Sequence, residues 1–145
     1  KAPYGTGFTV SKSVEPLQQK VKGKWSVGDV VRITLTMNAQ SDIGWVAVDD
    51  PIPSGATLLG RALGRDSNLA AERDGGDWTW ATYAEFGADA YRAYYERIYK
   101  GEWHASYTLR LNQSGDFVLP PTRVEAMYAP EMFGMTPNAA WVVVP

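Results

Sequence analysis

The chain has no cysteine. That absence excludes disulfides, thiolate catalysis and cysteine-ligated zinc within these 145 residues. Histidine occurs once, at His104. A general base or metal ligand there would need partners the sequence does not offer, and a surface histidine is the simpler reading. The acidic residues lack EF-hand spacing, and no glycine pattern sits between a strand and a helix as a phosphate loop requires. Neither a metal nor a cofactor is therefore expected. An excess of charge of either sign is also lacking. The net charge is −2, with no run of Lys or Arg. This argues against nucleic acid and against direct contact with an anionic membrane. No apolar run approaches the roughly 20 residues of a membrane-spanning helix. There is no repeat, low-complexity tract or internal linker.

What remains suits one domain with one core, residues 1–145. The chain opens Lys1-Ala2-Pro3, without initiator Met or signal peptide, which reads as a fragment of a longer protein. Alternation of apolar and polar residues supplies the strands. Val31, Ile33, Leu35 and Met37 alternate with Arg32, Thr34 and Thr36. Trp103, Ala105, Tyr107, Leu109 and Leu111 alternate with His104, Ser106, Thr108 and Arg110. Shorter strands are expected at 8–12, 45–49, 57–63, 117–119, 123–128 and 140–144. Turns are expected at 24–29, at 50–55 around Pro51, Pro53 and Gly55, at 74–77 and at 112–116. Residues 89–99 are ambiguous. Their composition permits a short helix, yet Tyr91, Ala93 and Tyr95 also alternate with Arg92, Tyr94 and Glu96. About seven or eight short strands with Gly- and Pro-rich turns make an antiparallel β-sandwich.

Several residues invite a functional reading. Asp49-Asp50, with Glu125 or Glu131, could be a carboxylate pair for glycoside cleavage, but an Asp before Pro is better read as a turn cap. Trp45, Trp103 and Trp141 sit in strand patterns and are expected in the core. Trp78 and Trp80, two apart, would share one side of a strand and could stack on sugar rings. That is the basis of an alternative reading as a carbohydrate-binding module. The stretch from 117 to 134, FVLPPTRVEAMYAPEMFG, places Met127, Tyr128, Met132 and Phe133 around a proline break. Either a core corner or a contact surface would account for it.

The order of GDVVRITLTM, VAVDDPIPSG and SGDFVLPPTRVEAMYAPEMFG resembles the C-terminal macroglobulin domain of bacterial α2-macroglobulins, of the enterobacterial type. The resemblance covers roughly residues 27–144. It implies an all-β macroglobulin-type sandwich of about seven strands, with a short helix possible near 89–99. It also implies a non-enzymatic part of a periplasmic protease trap anchored to the inner membrane. The partners would be the thioester domain and neighbouring macroglobulin domains of the same chain, and target proteases through the parent protein. Met127 and Tyr128 match the family residues that shield the thioester. A latent thioester must be kept from water, for which an aromatic plate and a flexible thioether are suited.

Overall fold

In the computed structural model, which describes residues 4–61 and 81–145, those residues form thirteen strands and no helix. The largest sheet runs in the order β1 (Tyr4–Thr6), β12 (Ala129–Thr136), β11 (Thr122–Ala126), β5 (Ile43–Pro51), β8 (Ala90–Ile98) and β7 (Tyr83–Phe86). Every neighbouring pair in it is antiparallel. A second antiparallel sheet runs β2 (Phe8–Gln18), β4 (Val30–Ala39), β9 (Gly101–Arg110) and β6 (Thr57–Arg61). A small third sheet joins β10 (Gly115–Phe117), β13 (Trp141–Val144) and β3 (Trp25–Ser26), with β13 and β3 parallel.

The core forms where the period-two alternation of the two larger sheets meets. Val31, Ile33, Leu35 and Met37 of β4 are buried, as are Trp103, Tyr107 and Leu109 of β9. From the larger sheet come Val46 and Val48 of β5, Tyr91, Ala93 and Tyr95 of β8, and Val124 and Ala126 of β11. The rings interlock across the gap. Tyr91 stacks on Tyr107 with centroids 4.5 Å apart, and Tyr95 meets the edge of Trp103 at 6.0 Å. Each such ring removes on the order of 150–250 Å² from water, worth several kcal/mol. The short strand β3 is held by Trp25, whose ring stacks on Trp141 at 5.1 Å.

Residues 89–99 contain no helix. Ala90–Ile98 is a strand, paired with β5 on one side and β7 on the other. In that conformation Tyr91, Ala93 and Tyr95 all point inward, whereas a helix would turn Ala93 away from them. Helix-forming composition lost to the packing of two aromatic rings. The strand count also exceeds seven, because β1, β3, β7 and β12 carry weak or interrupted alternation. The strand expected at 57–63 is seen as Thr57–Arg61, while the turn at 74–77 lies outside the described residues, as do Trp78 and Trp80.

Two buried phenols give the fold a pH limit. Burial, with Tyr91 nearby, raises the pKa of Tyr95. Burial raises that of Tyr107, and the adjacent Asp50 carboxylate adds to it. The folded state therefore keeps protons that the unfolded chain gives up from about pH 10 upward. Their contribution to stability is full below that pH and declines above it, by up to about 1.4 kcal/mol per pH unit for each phenol. Urea midpoints measured at pH 8 and above pH 10 should show the decline. Tyr107→Phe should make it shallower.

Candidate functional site

Within the stretch 117–134, β11 and β12 form a β-hairpin. Ala126 pairs with Ala129, so Met127 and Tyr128 form the whole of a two-residue turn between β11 and β12. Pro120 and Pro121 lie just before β11, where no ladder bond is asked of them. Pro130 falls where the register slips. Glu125 faces Phe133, but the next residue, Ala126, faces Ala129, so Pro130, Glu131 and Met132 are extra on the β12 side. A bulge of that kind absorbs a proline and bends the strand. The opposite end of β12 is tightly held. A Cβ on Gly134 would lie 2.8 Å from the Phe8 carbonyl oxygen, so the close approach of β12 to β2 requires glycine there.

The turn projects from the sheet. Tyr128 is 81 % exposed and Met127 41 %. Two-residue hairpin turns favour Asn-Gly or similar pairs with positive φ. Neither Met127 nor Tyr128 has positive φ, and both are large and apolar. The backbone of the turn is instead tied sideways. The Met127 N–H donates to the Trp45 carbonyl at 2.8 Å, one step beyond the pairing of Ala126 with Val46.

Trp45 was expected in the core and is not there: it is 40 % exposed, unlike Trp103 and Trp141. Its φ is +57°, a left-handed conformation that no other non-glycine residue among those described adopts. A bulky residue in that region is strained by roughly 1–2 kcal/mol. The position of Trp45 next to Val46 gives it the outward parity of the strand, opposite to buried Val46 and Val48, and the register with β8 is the same on both sides of it. Trp45→Gly should therefore raise the stability of the chain or leave it unchanged, whereas a ring seated in the core would cost about 3–5 kcal/mol on removal. A urea titration of that variant measures which holds.

Two ion pairs lie on the outer face of the same sheet. Arg123 binds Glu125, and its guanidinium lies 4.6 Å from the centroid of the Phe133 ring. Arg92 meets Asp49 at 3.1 Å, and this carboxylate raises the guanidinium's pKa further. Asp49 and Glu125 are thus each occupied by an arginine and do not form a free carboxylate pair. Glu131 is exposed beside the turn. His104 is half-buried on the outer face of the second sheet, with Nδ1 3.2 Å from the Thr36 hydroxyl and Nε2 3.1 Å from Glu102. Among the described residues there is no group of metal-ligating side chains.

Asp50 does not cap the turn it precedes. It is fully buried and lies at the centre of a polar network between the two large sheets. The Lys12 ammonium of β2 donates to its Oδ1 at 2.7 Å, as does the Thr122 hydroxyl of β11, also at 2.7 Å. The Tyr107 hydroxyl of β9 donates to Oδ2. Lys12 Nζ also donates to Asn138 Oδ1 at 2.8 Å, and Asn138 Nδ2 donates to the Pro120 carbonyl at 2.8 Å and to Thr122 Oγ1 at 3.0 Å. A signal for this was present in the sequence. Asp50 shares the parity of Val46 and Val48, which points it inward.

The hairpin tip holds no nucleophile, acid–base pair or ligand set. It offers exposed apolar area on a stiff support, which is the chemistry of contact. Known proteins carry similar domains within larger chains. The structure superposes on Salmonella α2-macroglobulin reacted with methylamine with a TM-score of 0.79 and 23 % identity, over 100 % of this chain and 10 % of that one. Native Escherichia coli α2-macroglobulin, from domain MG7 to the C-terminus, gives 0.77 and 20 %, over 99 % of this chain and 24 % of that one. These likenesses are of fold. A curated relative, "Circularly permutated Ras protein 2" of Dictyostelium discoideum, is 27 % identical over 147 residues, taking in 95 % of this chain but 4 % of that protein. The chain thus spans a small part of each of these three proteins. Residues 7–131 match the family described as the bacterial α2-macroglobulin MG10 domain. With that match covering most of its length, the chain belongs to the bacterial α2-macroglobulin MG10 domain family.

Proposed function

We propose that this domain covers the thioester of a larger protease-trapping α2-macroglobulin and does so with the Met127–Tyr128 turn. The observation that carries the reading is the exposure of Tyr128 on a two-residue turn, where a large aromatic ring has no local purpose. A phenol ring and a thioether displayed there exclude water from whatever they press against. The prolines and the Met127–Trp45 hydrogen bond hold the turn in place, so docking costs little ordering entropy. The solved relatives fit this use, being described as reacted with methylamine or activated by trypsin and by elastase. In this reading the domain is the C-terminal macroglobulin module of a periplasmic parent anchored to the inner membrane. The reactive bond lies in a neighbouring domain, since this chain has no cysteine to form it.

The test uses the full-length parent protein carrying Met127→Ala and Tyr128→Ala. Uptake of methylamine in the resting state should rise above that of the unsubstituted protein. Equal uptake would remove the basis for the reading.

A further inference from the structure

A lysine, an aspartate and an asparagine meet at the centre of the fold in an arrangement that the covering role does not use. Lys12 comes from the first long strand, Asp50 from the middle of the chain and Asn138 from the segment leading into the last strand. Asp50 is fully buried and the Lys12 side chain is 7 % exposed. Lys12 Nζ lies 2.7 Å from Asp50 Oδ1 and 2.8 Å from Asn138 Oδ1. The orientation of the Asn138 carboxamide is set by its surroundings, because Nδ2 faces two acceptors and Oδ1 faces an ammonium.

We infer that Lys12 and Asn138 join in an intramolecular amide bond, with Asp50 as the proton carrier. The nucleophile, the carbonyl and the base are already side by side, and such placement substitutes for a high concentration of reactant. The Lys12 ammonium gives a proton to Asp50, and the neutral amine attacks Asn138 Cγ. A C–N bond forms and the carbonyl electrons move to Oδ1. When the carbonyl re-forms, the Cγ–Nδ2 bond breaks. The two protons shed by the amine pass by way of Asp50 to the departing nitrogen, which leaves as ammonium. Asp50 ends as it began, and no oxidant, reductant or metal takes part. The geometry in the structure is that of the reactants.

The link would close a loop of nearly the whole chain, since the two residues are 126 apart in sequence. It would fasten β2 to the segment before β13. Tension between β2 and the last strand would then run through a covalent bond and not through the sheet ladders.

The intact mass of the purified, folded chain decides the matter. The inference expects a mass below that of the sequence by one ammonia, and a tryptic fragment in which the peptides of Lys12 and Asn138 are joined. Lys12→Ala and Asn138→Ala should each restore the full mass. Asn138 lies at the surface end of the network, so its variant is expected to fold even if that of Lys12 does not. A folded wild-type chain of full mass overturns the inference. So does a deficit confined to one unlinked peptide, as from cyclised asparagine, or one that persists in Asn138→Ala.

Discussion

Asp50→Ala should destabilise the chain by about 3–5 kcal/mol, the largest loss expected from any single side chain outside the apolar core. The cause is what the substitution leaves behind. Lys12, Tyr107 and Thr122 all direct donors at Asp50 from different strands, and its removal strands an ammonium and two hydroxyls in the interior. A domain of this size has roughly 5–15 kcal/mol in all, so much of the folded population would be lost. Urea unfolding of the variant should show a large drop in midpoint with little change in slope. The double variant Lys12→Met, Asp50→Ala should cost less than the sum of its two single changes, because it also removes the orphaned charge. Additive losses would mean that the two side chains do not act together.

The sequence discloses this fold most clearly where one face of a strand is buried and the other is wet. β4 and β9 alternate without interruption, and the structure buries the residues that the alternation selects. β8 obeys the same rule, but its Ala, Glu, Tyr and Arg content argues for helix as well. The choice falls to Tyr91 and Tyr95, whose partners Tyr107 and Trp103 lie on a different strand, β9, in the facing sheet. β12 was hidden because its pairing is broken by the bulge at Pro130, and β1 and β3 because they are too short to show a period. Trp45 was legible by parity as outward, opposite to Val46 and Val48, but its apolar surroundings drew it toward the core, and no sequence pattern announces a left-handed tryptophan. Asp50 was legible by parity, yet the following proline drew it toward a turn. The hairpin was not legible at all, since Met-Tyr carries none of the turn chemistry of Gly, Asn or Asp. The resemblance drew attention to those two residues. Composition alone would have left them in the core.

The second large effect separates contact from core at the same hairpin. In the isolated chain Tyr128→Ala should cost less than about 1 kcal/mol, as expected for an exposed side chain. Tyr95→Ala, a buried ring on the same sheet, should cost about 3–5 kcal/mol. In the full-length parent the ranking should reverse for latency. If the tip contributes even about 1.4 kcal/mol to keeping the cover closed, its loss opens the site to water and small amines about tenfold more often. Methylamine uptake before any protease is added should therefore rise about tenfold or more in Met127→Ala, Tyr128→Ala, with the unfolding midpoint little changed. The two readouts must be taken together. Faster uptake with a large loss of stability would make the hairpin a structural element of its own domain. Faster uptake at preserved stability is what a cover predicts, because its energy is realised against a neighbour and not within the sandwich.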